Sequence, residues 1–245
     1  MTLRVVVVYP DLLGTYGDGG NGVVVVQRAQ WRGIDATLLE APSGEPLPAG
    51  DCYCLGGGED GPQLRAAELL REDGALARAA IDGIPILAVC AGYQIVGRTF
   101  PSADGRALPG LGLLDVATTK GTGRRAVGEI LAEPLDDGLP TLTGFENHGG
   151  LTTLGTDASP LATVVAGVGN GDGSEGAVAG RIVGTYLHGP VLARNPALAD
   201  RLLTWASGET LTSLEDTEEL ALRAERISAV RGTVRRSGRT GRSAW

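Results

Sequence analysis

Four short apolar runs with helical patterns between them constrain this chain more than any other feature. The runs "LRVVVVY", "DATLLE", "DCYCLGGG" and "IPILAVC" are rich in Val, Ile and Leu, and each lies beside turn-forming residues. Between them, "NGVVVVQRAQWRGI" and "GPQLRAAELLREDGALARAAIDG" have the spacing of helices. The resulting order, strand, helix, strand, strand, helix, strand, is that of a parallel sheet with covering helices. Strands buried on both faces read as continuous apolar runs rather than alternating ones, as these do. The expected fold class is therefore α/β, a mostly parallel central sheet flanked by helices. After Gly97 the pattern changes to strand-like pieces, "LGLLDVATT", "AVGEILAE", "LTGFENHGG", "PLATVVAG" and "GAVAGRIVGTYLH". An amphipathic helix, "NPALADRLLTWASG", follows, started by Asn195 and Pro196 and stopped near Gly208.

At 245 residues, 42% hydrophobic and 20% charged, the chain is long enough for one large core. We assign residues 1–208 to that domain and 209–245 to a C-terminal extension whose end, "RRSGRTGRSAW", reads as a disordered basic tail. The net charge of −8 is uneven: residues 223–245 carry seven arginines against Glu225 alone, which leaves 14 basic and 28 acidic residues on the rest. An acidic body disfavours nucleic acid as a partner, while the tail has the charge to meet an acidic partner or an anionic membrane face. The valine run near the N-terminus is far too short for a signal sequence or a membrane span, so a cytoplasmic location is expected. Three cysteines, an odd number, argue against a disulfide framework, and with only two histidines no metal site is expected. Cys52 and Cys54, two apart on one strand, share a face and read as core. "GVGNGDGSEGA" lacks the lysine of a phosphate-binding loop.

In open parallel sheets the chemistry gathers at the carboxyl ends of the strands. Cys90 stands there, directly after "IPILAV" and before a helix beginning at Ala91, where free helix N–H groups favour a thiolate. A small residue at the end of a buried strand is the structural alternative. "CLGGGEDG" places three glycines after another strand, so that backbone N–H groups are freed to meet a developing oxyanion together with the Ala91 N–H; an ordinary turn is the simpler reading of glycines alone. His188 in "GTYLHGP" closes a further strand and suits a base for the thiol and an acid for a leaving amine, although a lone histidine there is more often structural. Glu146 and His148 in "GFENHGG" form the fourth feature.

"LAVCAGYQ", with Cys, Gly and Gln at the C-x-G-x-Q spacing, a glycine loop before it and "YLH" far downstream, resembles the class I glutamine amidotransferases, which have a flavodoxin-like architecture. "GFENHGG" and "GTYLHGP" resemble the subgroup related to cobyric acid synthase. "YPDLLGTYGDGGN", "QWRGI", "RAVGEI" and "RNPALADRLL" narrow the likeness to the glutaminase subunits of lipid II isoglutaminyl synthases, over roughly residues 3 to 207. The resemblance implies that Cys90 attacks the carboxamide of L-glutamine and that His188 protonates the departing ammonia. It further implies that Gly57 and Ala91 hold the oxyanion, that Gln94 helps form the glutamine pocket, and that Arg125, with Arg124 second, binds the α-carboxylate. Exposed, solvated arginines are the alternative for both.

Most such enzymes have a glutamate two residues beyond the catalytic histidine; here Pro190 stands there. Glu146, Asp18 or a carboxylate of a partner chain remain as orienting groups, and we favour the partner, because hydrolysis would then wait for assembly. No cofactor is expected on this chain, which shows no ATP-binding loop; ATP and Mg are expected on a MurT-like, Mur-ligase-family synthetase. Contact with a membrane would be peripheral, through lipid II. A cobyric acid-type acceptor, a cysteine hydrolase or deglycase on a similar sheet, and a catalytically silent regulatory subunit are the competing readings.

Overall fold

The structure, a computed structural model, describes residues 2–239. Its first part follows the order read from the sequence: β1 (Leu3–Val8), α1 (Pro10–Leu13), α2 (Gly20–Gln30), β2 (Ala36–Ala41), β3 (Cys52–Leu55), α3 (Asp60–Asp73), α4 (Ala75–Ile81), β4 (Ile86–Val89) and α5 (Ala91–Val96). The long helical pattern ending at Gly83 is split in two. Gly74 adopts φ 68°, closes α3 by donating to the Leu70 carbonyl at 3.0 Å, and lets α4 start in a new direction.

The second part holds β5 (Thr99–Pro101), β6 (Ala107–Pro109), β7 (Val116–Lys120), β8 (Ala126–Pro134), β9 (Leu142–His148), β10 (Gly150–Leu154), β11 (Ala162–Ala166), β12 (Ser174–Glu175), β13 (Ala177–Ala179) and β14 (Ile182–Thr185). It ends with α6 (Val191–Arg194), α7 (Pro196–Ser207) and α8 (Thr217–Arg239). "GAVAGRIVGTYLH" is thus a hairpin rather than one strand, and His188 lies three residues past its end.

The central sheet has the order β13-β14-β4-β3-β1-β2. All its pairings are parallel except the β13–β14 hairpin at the edge. Val5, Val6 and Val8 of β1 and all four residues of β3 and of β4 are buried, as two covered faces require. Each such Val, Leu or Ile taken out of water contributes about 1.5–3 kcal/mol before the opposing chain entropy. From β1 the chain moves outward to β2, then crosses back to β3 and β4 on the other side. Strand order therefore reverses between β1 and β3, and the carboxyl ends there form the crevice where such sheets place their ligands.

Two four-stranded sheets, β10-β7-β5-β6 and β12-β11-β8-β9, stand beside this one. β9 and β10 are separated only by Gly149, yet belong to different sheets. Phe145 of β9 exchanges backbone hydrogen bonds with His188 at 3.1 and 2.8 Å, which ties the end of β9 to the carboxyl edge of the central sheet. Asn195 contributes from below: its side chain accepts from the Thr143 N–H at 3.0 Å and donates to the Thr143 carbonyl at 2.8 Å. It pins α7 to β9 instead of capping the helix.

The C-terminal extension corrects the sequence reading. Residues 217–239 form α8, so the segment from Arg235 to Arg239 is helical and not a disordered tail, while residues 240–245 lie outside the described ones. Buried Arg28 on α2 holds the approach to α8 in place, donating to both oxygens of Asp200 at 2.7 and 2.8 Å and to both of Asp216 at 2.7 and 2.8 Å. Arg32 adds a bond to Asp200 at 2.8 Å. Among the described residues no helix is long and apolar enough to cross a membrane.

Candidate active site

Cys90 joins β4 to α5 with φ 53° and ψ −105°, a conformation that side-chain-bearing residues avoid and that costs about 1–3 kcal/mol. The neighbours hold it there. The Cys90 N–H donates to the Thr185 carbonyl at 2.9 Å, the Gly92 N–H donates to the Gly56 carbonyl at 3.1 Å, and the Gln94 N–H closes on the Cys90 carbonyl at 3.0 Å. Gly92 has to be glycine, because a Cβ would stand 2.8 Å from Leu55 Cβ and 3.1 Å from the Gly56 carbonyl oxygen. With α5 only six residues long, its partial charge is small, and a charged neighbour must do most to support a thiolate.

That neighbour is His188, 2% exposed. Its Nδ1 lies 2.8 Å from Asp18 Oδ2, and Asp18 is itself buried in the glycine-rich loop between α1 and α2. Burial alone would push the imidazole down, but the hydrogen bond to Asp18 and the interaction with the Cys90 sulfur outweigh it and raise the pKa to about 10. Nε2 makes no formed hydrogen bond, so the ring edge that bears on Cys90 is free to exchange a proton. Cysteine, histidine and aspartate thus come together within one chain. The orienting carboxylate, expected from a partner, is Asp18. Glu146 is excluded from that role because its carboxylate accepts from the Val168 and Gly169 N–H groups at 2.9 and 3.0 Å and faces His148 at 3.4 Å. Asp18 is among the candidates, within "YPDLLGTYGDGGN", but nothing in that loop's spacing sets it above Glu146.

The second correction concerns Gly57. Its N–H donates to Asp18 Oδ2 at 2.9 Å and so serves the carboxylate rather than an oxyanion. Gly58 and Ala91 line the cavity beside Cys90, and their N–H groups donate to no other atom among the described residues. The glycine loop thus leaves an unengaged N–H at the cavity, one residue later than expected.

The cavity in front of Cys90 measures about 350 Å³, within the range for small-molecule sites. Gln94 forms part of its wall, accepting from Gln63 at 2.8 Å and donating to the Tyr186 hydroxyl at 3.2 Å. Burial pushes the Tyr186 phenol up to about 12, so it stays a neutral donor, and its oxygen lies 2.7 Å from Thr152 Oγ1. His148 lines the same wall and stacks on Tyr186 with ring centres 3.8 Å apart. Gln63 and Tyr186 were not singled out in the sequence, where their partners lie on other elements.

Arg125 stands at the cavity rim, whereas Arg124 is exposed and does not line it. The Arg125 side chain is fixed by Asn147 and takes part in no ion pair with any described residue. A buried nucleophile with an ion-paired histidine, two free backbone donors and an unpaired guanidinium across one small cavity can bind a small carboxylate and cleave an acyl or amide bond in it.

Comparison with known proteins agrees with this chemistry. Residues 4–196 match the model of the CobB/CobQ-like glutamine amidotransferase domain. The chain is 39% identical over 198 residues to the Staphylococcus aureus protein named lipid II isoglutaminyl synthase (glutamine-hydrolyzing) subunit GatD, covering 79% of each. It is 34% identical to the Streptococcus pneumoniae protein of the same name, over 83% of this chain and 80% of that one. Its fold is similar to a crystal structure of a glutamine amidotransferase, with a TM-score of 0.59, 22% identity, and coverage of 82% of this chain and 98% of that one.

Proposed function

Because the chain belongs to the CobB/CobQ-like glutamine amidotransferase family, we propose that it is the glutaminase subunit of a lipid II isoglutaminyl synthase. It hydrolyses L-glutamine to glutamate and ammonia, and a MurT-like, ATP- and Mg-dependent Mur-ligase-family partner uses the ammonia to amidate the D-glutamate α-carboxylate of lipid II. The observation that carries this reading is the Cys90–His188–Asp18 arrangement at the mouth of a cavity whose rim bears Arg125, held by Asn147 but in no ion pair with a described residue. Its support as to acceptor and partner is the identity to two GatD subunits over about four fifths of each chain. All three cysteines are free and buried, which suits a reducing, cytoplasmic setting.

In the mechanism we infer, His188 and Cys90 rest as imidazolium and thiolate. Arg125 takes the α-carboxylate of glutamine, and the wall containing Gln94 confines its side chain. The sulfur attacks the carboxamide carbon, and the oxygen that becomes negative accepts from the Gly58 and Ala91 N–H groups. The C–N bond then breaks as Nε2 gives its proton to the nitrogen, releasing ammonia and leaving the γ-glutamyl thioester. Once the sulfur is acylated its charge no longer raises His188, so the imidazole is less readily protonated and can act as the base. It takes a proton from the attacking water, the C–S bond breaks, glutamate leaves and the ion pair returns. Asp18 keeps Nδ1 protonated and Nε2 facing the sulfur throughout.

Glutamate release should be measured with the full chain, alone and co-expressed with the synthetase, for wild type, Cys90→Ser and His188→Ala. Turnover in wild type and its loss in both variants is the expected outcome, and ammonia release that survives Cys90→Ala would sink the mechanism. The pair running as two independent species in gel filtration would count against the partner.

A further inference from the structure

Asn147 lies outside every motif role considered so far, yet its one side chain touches both ends of the site. Oδ1 accepts from Arg125 Nε at 2.5 Å, while the Asn147 backbone carbonyl accepts from Arg125 Nη2 at 3.0 Å. Nδ2 donates to the Tyr16 hydroxyl at 2.8 Å. The Tyr16 ring in turn lies 4.7 Å from the His188 ring, tilted by 56°. Tyr16 has φ 68°, an unfavourable backbone for a bulky residue, in a turn closed by the Gly17 N–H to the Gly14 carbonyl at 3.3 Å and tied to the glycine loop by the Thr15 N–H to the Gly57 carbonyl at 3.2 Å.

The local structure explains how one amide reaches both. Asn147 is the penultimate residue of β9, paired with Val127 of β8, so Arg125 just before β8 sits beside it. The backbone exchange between Phe145 and His188 brings the same end of β9 over the catalytic histidine. An Arg side chain at an exposed rim ordinarily samples many rotamers, and ordering it on binding costs affinity. Two acceptors on Asn147 take up that disorder beforehand, leaving the Nη1 edge for a carboxylate. The hydroxyl of Tyr16 has no other partner among the described residues, so the cover over His188 is latched by Asn147 alone.

We propose that Asn147 is a positioning residue that serves substrate recognition and the catalytic histidine at once: its oxygen presets Arg125 for the glutamine α-carboxylate, and its NH2 group latches Tyr16 over His188. The proposal rests on the glutaminase reading, in which Arg125 meets the α-carboxylate. Its consequence is a division of labour that a purely structural asparagine would not show. Loss of the oxygen acts on glutamine binding, and loss of the latch acts on turnover.

The test is steady-state glutamine hydrolysis by the full chain co-expressed with its synthetase, for wild type, Asn147→Ala, Tyr16→Phe, Arg125→Ala and the Asn147→Ala/Arg125→Ala pair, with thermal unfolding of each. Asn147→Ala should raise KM roughly tenfold, the low end for losing a hydrogen bond to a charged group, and also lower kcat. Tyr16→Phe should lower kcat while leaving KM within about twofold. In the Arg125→Ala background, removing Asn147 should raise KM no further, since its effect on binding passes through that arginine. Equal KM for Asn147→Ala and wild type at an unchanged Tm, or full additivity in the double variant, would overturn the positioning role. Tyr16→Phe turning over at the wild-type rate would overturn the latch. Wild type without any Cys90-dependent turnover would instead overturn the glutaminase reading, so the two failures are distinguishable.

Discussion

Replacing Asp18 by Asn keeps the shape of the side chain and removes its charge, which isolates what the carboxylate does for His188. Burial by itself pulls the imidazole pKa down, yet it ends at about 10 because Asp18 Oδ2, 2.8 Å from Nδ1, and the Cys90 sulfur together outweigh it. A net rise from 6.5 to about 10 corresponds to ~5 kcal/mol of preference for imidazolium, and because burial opposes it, Asp18 and Cys90 together supply more than that. A hydrogen bond to a charged group is worth about 1.5–3 kcal/mol, so losing the Asp18 contact costs up to about a hundredfold in rate if the proton transfer limits turnover. An amide also turns its NH2 group toward Nδ1 and favours the wrong tautomer, an effect that reaches about 10⁴ in comparable triads. Asp18→Asn should therefore lower kcat about 10²–10⁴-fold, with KM within about threefold because Asp18 does not line the cavity. Because the one oxygen Oδ2 faces both His188 Nδ1 and the Gly57 N–H, an NH2 group turned toward Nδ1 also leaves Gly57 without its acceptor, so the fall in kcat should come with a drop in Tm of about 2–4 °C, the size expected for ~1 kcal/mol. Glutamate release by the co-expressed pair, with a melting curve as control, measures both. A variant that keeps more than about a tenth of wild-type kcat would refute the triad and return the orienting role to a partner's carboxylate.

Stability should respond to pH through the same histidine. Its folded pKa is raised above the unfolded value, so its contribution is fully present below about pH 6.5 and is lost as pH rises through about 10. Wild type should lose Tm over that window more steeply than His188→Ala; parallel slopes would contradict the assignment. Arg28→Ala leaves Asp200 and Asp216 facing each other without their shared cation and should cost ~3 kcal/mol in urea unfolding. An unchanged midpoint would mean that water already screens the network. Gly92→Ala forces a Cβ against Leu55 and the Gly56 carbonyl, so a loss of ~1–3 kcal/mol should accompany a fall in kcat, and a variant both stable and active would refute the close approach.

Much of this protein was legible in the order of its residues. Continuous Val, Ile and Leu runs signal strands covered on both faces, and Gly208, in the left-handed region, ends a helix where such residues do, whereas Gly74 stands inside what reads as one helical pattern and divides it. Cys90 before a small-residue helix start signals an elbow. The α8 helix had a signal too, since Asp216 and Glu219 have the spacing of a capping box, but its sparse apolar residues gave no face to read. What depends on partners distant in sequence stays open there, as with Asp18, one candidate carboxylate among several, or goes unread, as with the Arg28 network. Asp18 and His188 are separated by 170 positions, and Arg28 and Asp216 by 188.

Local period and turn chemistry decide which element a segment forms, because they act within a few residues. Whether Gly57 or Gly58 points its N–H into the cavity, whether Asp18 or Glu146 faces the histidine, and which side chain steadies Arg125 are settled by sheet order and register. Those bring together ends of strands that the chain itself keeps apart, and a one-residue change of register would turn each donor and acceptor to the opposite face. The nucleophile and its histidine belong to the sequence, while the carboxylate that orients the histidine and the amide that spans the site belong to the tertiary structure.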